Sequence, residues 1–327
     1  MTTFKEIRGT AIRSVSSDPS NPEVGQIWYN NTIGVLKGNA LVAAAWASGG
    51  NMNTARSDLG TAGIQTAALG AGGYSGGGVN NTENYNGSTW TASGTLTTTR
   101  YGLAGAGTQT AGLGFGGYAP PGNQSATEEY NGSTWGPGGS LNTARRYLAG
   151  AGTQTAGLAF GGWNGTSNLN STEEYDGSTW GPGGNMGTAR KGLAGCGTQT
   201  AGLGFGGTNS PASPPFTTLT ATEEYDGTSW TAGGSLNTAR RTLGGAGTQT
   251  SALGFGGQTT AGANIGTTEQ YDGSTWVSAP SLTTARAFLG GAGTATAGLA
   301  FGGVSTILTN LTEEFTSGTF ATKTITT

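Results

Sequence analysis

The chain has 327 residues, of which 65 are glycine and 10 proline, and its 14 basic and 17 acidic side chains give a formal charge of −3. Without periodicity such a glycine load is close to that of a disordered chain, so a folded state requires a repeat. The absence of histidine removes the usual general base and the commonest metal ligand.

Other functional classes are also weakened. Basic residues scattered singly along a weakly acidic chain offer no electrostatic grip on nucleic acid or anionic lipid. The single cysteine, Cys196, makes no internal disulfide. The opening MTTFKEIRGT lacks the apolar core of a secretory signal, and the run ALVAAAWA (residues 40–47) is far shorter than the roughly 20 residues that span a bilayer. These features predict a soluble protein made in a cytoplasm, with no membrane insertion, cofactor or metal.

Residues 1–45 stand outside any repeat. The segment DPSNPEVGQIWYNNTIGVLKGNA (18–40) reads as a proline-bearing linker followed by a hairpin, with QIWYN and VLKG as strands around NTIG. It resembles a module near the start of tail-fibre and related virion proteins of tailed bacteriophages, where GQIWYN is followed by a GVLKG-like strand. The resemblance implies a structural protein of the virion, most directly of the tail, present in many copies. Residues 1–45 would then attach it to other virion proteins.

From Trp46 onward the sequence repeats. Trp46, Trp90, Trp135, Trp180, Trp230 and Trp276 are each followed ten positions later by Arg56, Arg100, Arg145, Arg190, Arg240 and Arg286, and Phe320 fills a seventh tryptophan-like position. Each unit predicts four short strands, as in YLAGAGT (147–153), GLAFGG (157–162), TEEYDG (172–177) and a last strand opened by Trp180. The DG or NG after the tyrosine supplies the positive backbone angles of a tight hairpin. Four strands every 44 to 50 residues is the period of a β-propeller blade, so the expected fold is an all-β, six-bladed propeller over residues 46–327 with a small N-terminal hairpin extension. The strand AAWASGG near the N-terminus is expected to complete the sixth blade, hiding edges that would otherwise invite aggregation. The order GG, Tyr, Trp, Arg resembles the kelch repeat.

Composition then acquires a cause. Gly and Ala in the first strand suit a crowded axis, while Leu158, Phe160, Tyr175 and Trp180 belong farther out. Cys196 occupies the slot that holds Ala62, Ala106, Ala151, Ala246 and Ala292 in the other units, so it reads as a small packing residue. The glycines around it precede no helix, which excludes a phosphate loop. Pairs such as Glu128 and Glu129, Glu173 and Glu174, or Glu223 and Glu224 recur once per unit beside one arginine, and neighbouring strand residues point to opposite faces. They predict ion pairing or solvation, and the chain is not expected to be an enzyme.

In a four-stranded blade the loop joining the second and third strands shares a face with the connection to the next blade. Those loops run 12 to 18 residues from the second Gly to the Tyr or Phe and have unrelated contents. Near-identical blades with dissimilar loops match a rigid scaffold that presents a binding surface. Tyr74, Tyr118, Trp163 and Phe216 lie in these loops among Asn, Ser and Thr and are the candidate ligand-binding residues, suited to stacking on sugars. The expected role is recognition of a host-surface glycan or protein. The alternatives are a capsid or tail decoration that only packs against neighbours, and, less well supported, a sugar-active propeller enzyme.

Overall fold

In the computed structural model, residues 12–23, 25–210 and 216–325 are described. The start of the predicted attachment arm (1–11), part of the longest loop (211–215) and the last two residues lie outside them.

The third repeat shows how the sequence becomes a sheet. Ala149–Gly152, Gly157–Phe160, Thr172–Tyr175 and Trp180–Pro182 pair antiparallel in chain order. The first two are joined through TQTA, and the last two turn at Asp176 and Gly177. Gly177 takes φ 91°. Asp176 Oδ1 accepts the backbone N–H of Ser178 at 2.8 Å and of Thr179 at 2.7 Å, and these bonds hold its carboxyl well below the usual carboxylate range. Side chains alternate between faces, so Leu158 and Phe160 are fully buried with Tyr175 beside them.

Five further sheets repeat this order. In the sixth, Gly290–Gly293, Ala297–Phe301 and Thr312–Thr316 take their outer strand from Ala45–Ser48, near the start of the chain. The expectation that AAWASGG supplies this strand is met. No helix occurs among the described residues, and the fold is all-β and propeller-like.

The six sheets are linked in a cycle of backbone hydrogen bonds at the mouth of their inner strands. The N–H of Gly102 donates to the carbonyl of Asp58, Tyr147 to Gly102, Gly192 to Tyr147, Thr242 to Gly192, Phe288 to Thr242, and Asp58 to Phe288, at 2.6 to 2.9 Å. The last bond returns to the first residue. Inner strands approach closely: a Cβ on Gly105 would lie 2.4 Å from the carbonyl oxygen of Thr61, which is why this strand is built of Gly and Ala.

The core lies between the sheets. Each of the six repeated tryptophans donates its indole N–H to a threonine of the preceding sheet, as Trp180 does to Thr127 (2.9 Å) and Trp90 to Thr312 (2.9 Å). Its ring packs on the preceding phenylalanine where one exists, with centroids 4.9 Å apart for Trp180 and Phe115. Burying each such aromatic is worth about 1.5–3 kcal/mol. The glutamine of each TQT reaches back as well, with Gln154 Nε2 donating to the carbonyls of Gly112 (3.0 Å) and Tyr130 (2.7 Å).

At the junction of the fifth and sixth sheets this pattern changes in a compensated way. Elsewhere, apart from Tyr130, whose hydroxyl accepts from Asn84 Nδ2 at 3.2 Å, a tyrosine hydroxyl donates to the second acid of the preceding sheet, as Tyr175 does to Glu129 at 2.6 Å. Here the tyrosine is Phe315, the acid is Gln270 and the turn glutamine is Ala295. Gln270 Nε2 instead donates to the Ala295 carbonyl at 2.8 Å. With the hydroxyl, the charge and the amide removed together, no buried side-chain polar atom of Gln270 is left without a partner.

Cys196 is 7% exposed among Ala194, Leu203 and Phe205, and burial pushes its thiol up to about 12. It fills a packing slot.

Residues Met1–Ala45 and Ser317–Thr327 form a second compact unit, separate from Trp46–Thr316. Its hairpin is as expected, with Ile27–Asn30 antiparallel to Val35–Val42. Arg13–Val15 adds in parallel and Thr319–Thr324 antiparallel. This corrects the boundary expected at residue 327, because the segment from Ser317 belongs with the N-terminal unit. The cause is that Ala45–Ser48 already fills the outer place in the sixth sheet. Phe320, which mimics the repeated tryptophan in sequence, pairs in register with Leu41. Within this unit Asp18 accepts bonds from Trp28 Nε1 (3.1 Å), Asn30 Nδ2 (2.8 Å) and Lys37 Nζ (2.5 Å). These hold its carboxyl down to about 2.

Candidate functional site on the loop face

The site rests on the six repeated arginines, all fully buried. In the third sheet Arg145 Nη2 pairs with Glu173, while Nη1 donates to the carbonyls of Gly161 and Ser171. Glu173 Oε2 accepts the backbone N–H of Asn142 at 2.6 Å. Equivalent pairs join Arg56 to Glu83, Arg100 to Glu128, Arg190 to Glu223, Arg240 to Glu269 and Arg286 to Glu313. The first glutamate of each pair is therefore structural, as its periodicity indicates.

Each arginine pins the chain next to two variable residues. The first of them bridges to the residue after GG: Ser57 to Tyr74, Tyr101 to Tyr118, Arg146 to Trp163, Lys191 to Thr208, Arg241 to Gln258 and Ala287 to Val304. The second, at the mouth of the hydrogen-bonded cycle, is always left-handed, with φ of 57°, 64°, 54°, 61°, 51° and 56° for Asp58, Gly102, Tyr147, Gly192, Thr242 and Phe288. Left-handed backbone is unusual for non-glycine residues, above all for β-branched Thr242, and such strain persists where surrounding structure enforces it. Here the cycle of hydrogen bonds does so.

The four candidate residues separate into two groups. Tyr74 and Tyr118 flank Tyr101 in an aromatic row, with centroids 5.4 Å apart at both steps. Trp163 and Phe216, from loops of neighbouring sheets, line one cavity of about 240 Å³ together with Arg146, Lys191, Arg241 and Tyr147. Trp163 is only 6% exposed. Lys191 Nζ sits 4.0 Å from its ring centroid, Arg241 Cζ sits 3.6 Å from that of Phe216, and Arg146 Cζ sits 4.7 Å from that of Tyr118. Cation–π contacts of this kind are worth about 0.5–2 kcal/mol.

The three cations are the residues missed by sequence reasoning, which treated the basic side chains as scattered singly. They come from three successive sheets and meet only in the folded ring. A signal was present: the two residues after each arginine, SD, YG, RY, KG, RT and AF, vary within an otherwise uniform stretch.

The mouth also holds Asp58. Burial pushes its carboxyl up to about 7, with the Ser57 hydroxyl, which donates at 2.9 Å, opposing the shift. An acid with a raised folded pKa contributes stability that is complete below its unfolded value near 3.9 and is lost as pH rises through about 7. Asp58→Asn keeps a residue tolerant of left-handed backbone. It is expected to leave the melting temperature unchanged near pH 4 and to raise it at pH 8. Thermal melts at both pH values check this, and equal shifts at the two would show that Asp58 ionises freely.

Compared with known proteins, the chain matches no family model and no curated sequence. Among the described residues no helix is long and apolar enough to cross a membrane, and no group of acidic or cysteine side chains is placed to hold a metal ion.

Proposed function

We propose that the chain is a structural protein of a bacteriophage virion, a tail-fibre or tail-associated component, and that its loop face binds a glycan or protein on the host surface. Residues 1–45 attach it to other virion proteins, and the repeated unit, kelch-like in its landmarks, presents the binding surface. The attachment role rests on the GQIWYN and GVLKG segments, which form the hairpin of the N-terminal unit.

One observation carries the binding role. Six sheets nearly identical in their buried residues differ where the loops and post-arginine pairs meet, and that is where a solvent-reachable cavity with aromatic and charged walls lies. A packing role alone requires no such cavity.

The test applies the full-length protein to bacterial glycan arrays and to panels of intact cells, with antibody labelling of purified particles by electron microscopy. Saturable binding to a subset of surfaces, and label on particles, are expected. Label absent from every particle preparation removes the virion role, and uniform absence of surface binding removes the recognition role.

A further inference from the structure

The aromatic rings at the cavity suggest sugar stacking, but each already carries a cation on one face. Lys191 covers Trp163 and Arg241 covers Phe216, so the rings serve as seats for cations rather than open platforms. What the cavity offers a ligand is positive charge. No acidic residue lines it, and among the described residues neither Arg146 nor Arg241 pairs with a carboxylate.

Arg241 is held in place by a chain of hydrogen bonds. Arg241 Nη2 donates to Gln258 Oε1 at 2.6 Å, Gln258 Nε2 donates to Asn264 Oδ1 at 3.1 Å, and Asn264 Nδ2 donates to the carbonyls of Val304 (3.0 Å) and Ser305 (2.6 Å). Burial and the charges of Arg146 and Arg241 all lower the pKa of Lys191. Three like charges have been brought together at an electrostatic cost that an anion would offset.

We infer that this cavity receives an oxyanion, the carboxylate or phosphate of an acidic saccharide residue, held by Arg146, Lys191 and Arg241. The inference rests on the proposed recognition role and names its ligand class. The volume of about 240 Å³ lies below the roughly 300–1,000 Å³ of drug-sized pockets and suits one ring or its charged substituent. Arginine forks match carboxylate and phosphate geometry, and charge-assisted hydrogen bonds are stronger than neutral ones.

The test is calorimetric titration of the full-length protein with glucuronic acid, N-acetylneuraminic acid, glucose 1-phosphate, inorganic phosphate and neutral glucose. At least one acidic sugar is expected to bind about tenfold or more tightly than glucose, with affinity falling as salt rises. The carboxylate and phosphate arms identify which oxyanion is preferred. Arg241→Gln and Arg146→Gln are each expected to lose about tenfold or more, whereas Arg241→Lys, which keeps charge but loses the fork, is expected to lose less. Melting curves identify any variant that fails to fold, and Lys191→Gln then supplies an independent charge deletion.

Equal binding of glucose and the acids, unchanged affinity in folded charge-deleted variants, or no binding of any anionic probe at millimolar concentration overturns the inference. Array binding to neutral glycans that persists in the charge-deleted variants would overturn it while leaving the recognition role standing. Absence of both array and cell binding would remove that role first.

Discussion

Arg240→Met is expected to destabilise the protein by about 3–5 kcal/mol, the loss found when one partner of a buried ion pair is removed. Arg240 and Glu269 are both fully buried, with Nη2 and Oε1 3.0 Å apart. Arg240 also donates to the carbonyls of Gly256 (3.2 Å), Gly254 (3.3 Å) and Thr267, and Glu269 Oε2 accepts the N–H of Asn237 at 2.7 Å. Methionine fills much of the volume but leaves a buried carboxylate without its counter-charge and carbonyls without donors. Burial pulls the guanidinium down to about 10 while Glu269 opposes the shift, so Arg240 stays charged at neutral pH. Chemical unfolding should show a lower midpoint at unchanged slope. Arg240→Met combined with Glu269→Leu should cost less than the two single changes summed, because the residues share one network. Strict additivity would show that the pair is not coupled.

The scaffold was legible because it is written six times. The four-strand unit, the inner Gly and Ala and the buried rings follow from periodicity and residue type alone, whereas the repeated glutamates were legible only as either ion-paired or solvated. Details that depend on the neighbouring sheet were not legible. Gln154 reads as a polar turn residue, yet it donates to two carbonyls of the preceding sheet. Nothing in a single repeat shows that another repeat stands opposite it.

The same limit explains the site. Trp163 and Phe216 were singled out from loop composition, and both reach the cavity, but Tyr74 and Tyr118 join a separate aromatic row around Tyr101. Arg146, Lys191 and Arg241 each form a basic doublet with the arginine before them, the doublets lie far apart in sequence, and they converge only because each follows a pinned arginine at the same depth of a cyclic structure. Phe320 is the converse case. Its local sequence copies the repeat, while the place it would take is filled by Trp46 from the other end of the chain.

Gly139→Ala should rival the loss of a buried ion pair. Gly139 follows the outer strand Trp135–Gly138 of the second sheet and lies against the hairpin turn of the third. A Cβ there would stand 2.0 Å from the carbonyl oxygen of Ser178 and 2.9 Å from its carbon. Those atoms are backbone, fixed by the Asp176 turn, so relief requires moving one sheet against the next. Overpacking typically costs about 1–3 kcal/mol and occasionally more, and the rigid neighbour places this case at or above the top of that range. The equivalent positions Gly50, Gly94, Gly184 and Gly234 are also glycine, with Cβ positions 1.9 to 2.1 Å from the facing carbonyl oxygen. The fifth sheet has Pro280 instead, and the sixth sheet, whose outer strand comes from the start of the chain, has no such turn to face it. Gly136→Ala, in the same strand, is the matched control: its Cβ would meet nothing within 4 Å, and reduced unfolded-chain entropy should make it neutral or stabilising by up to about 1 kcal/mol. Thermal and denaturant unfolding of the two variants separates close approach from any general need for glycine in this strand. Equal stability of the two would mean that the sheets do not meet at Ser178.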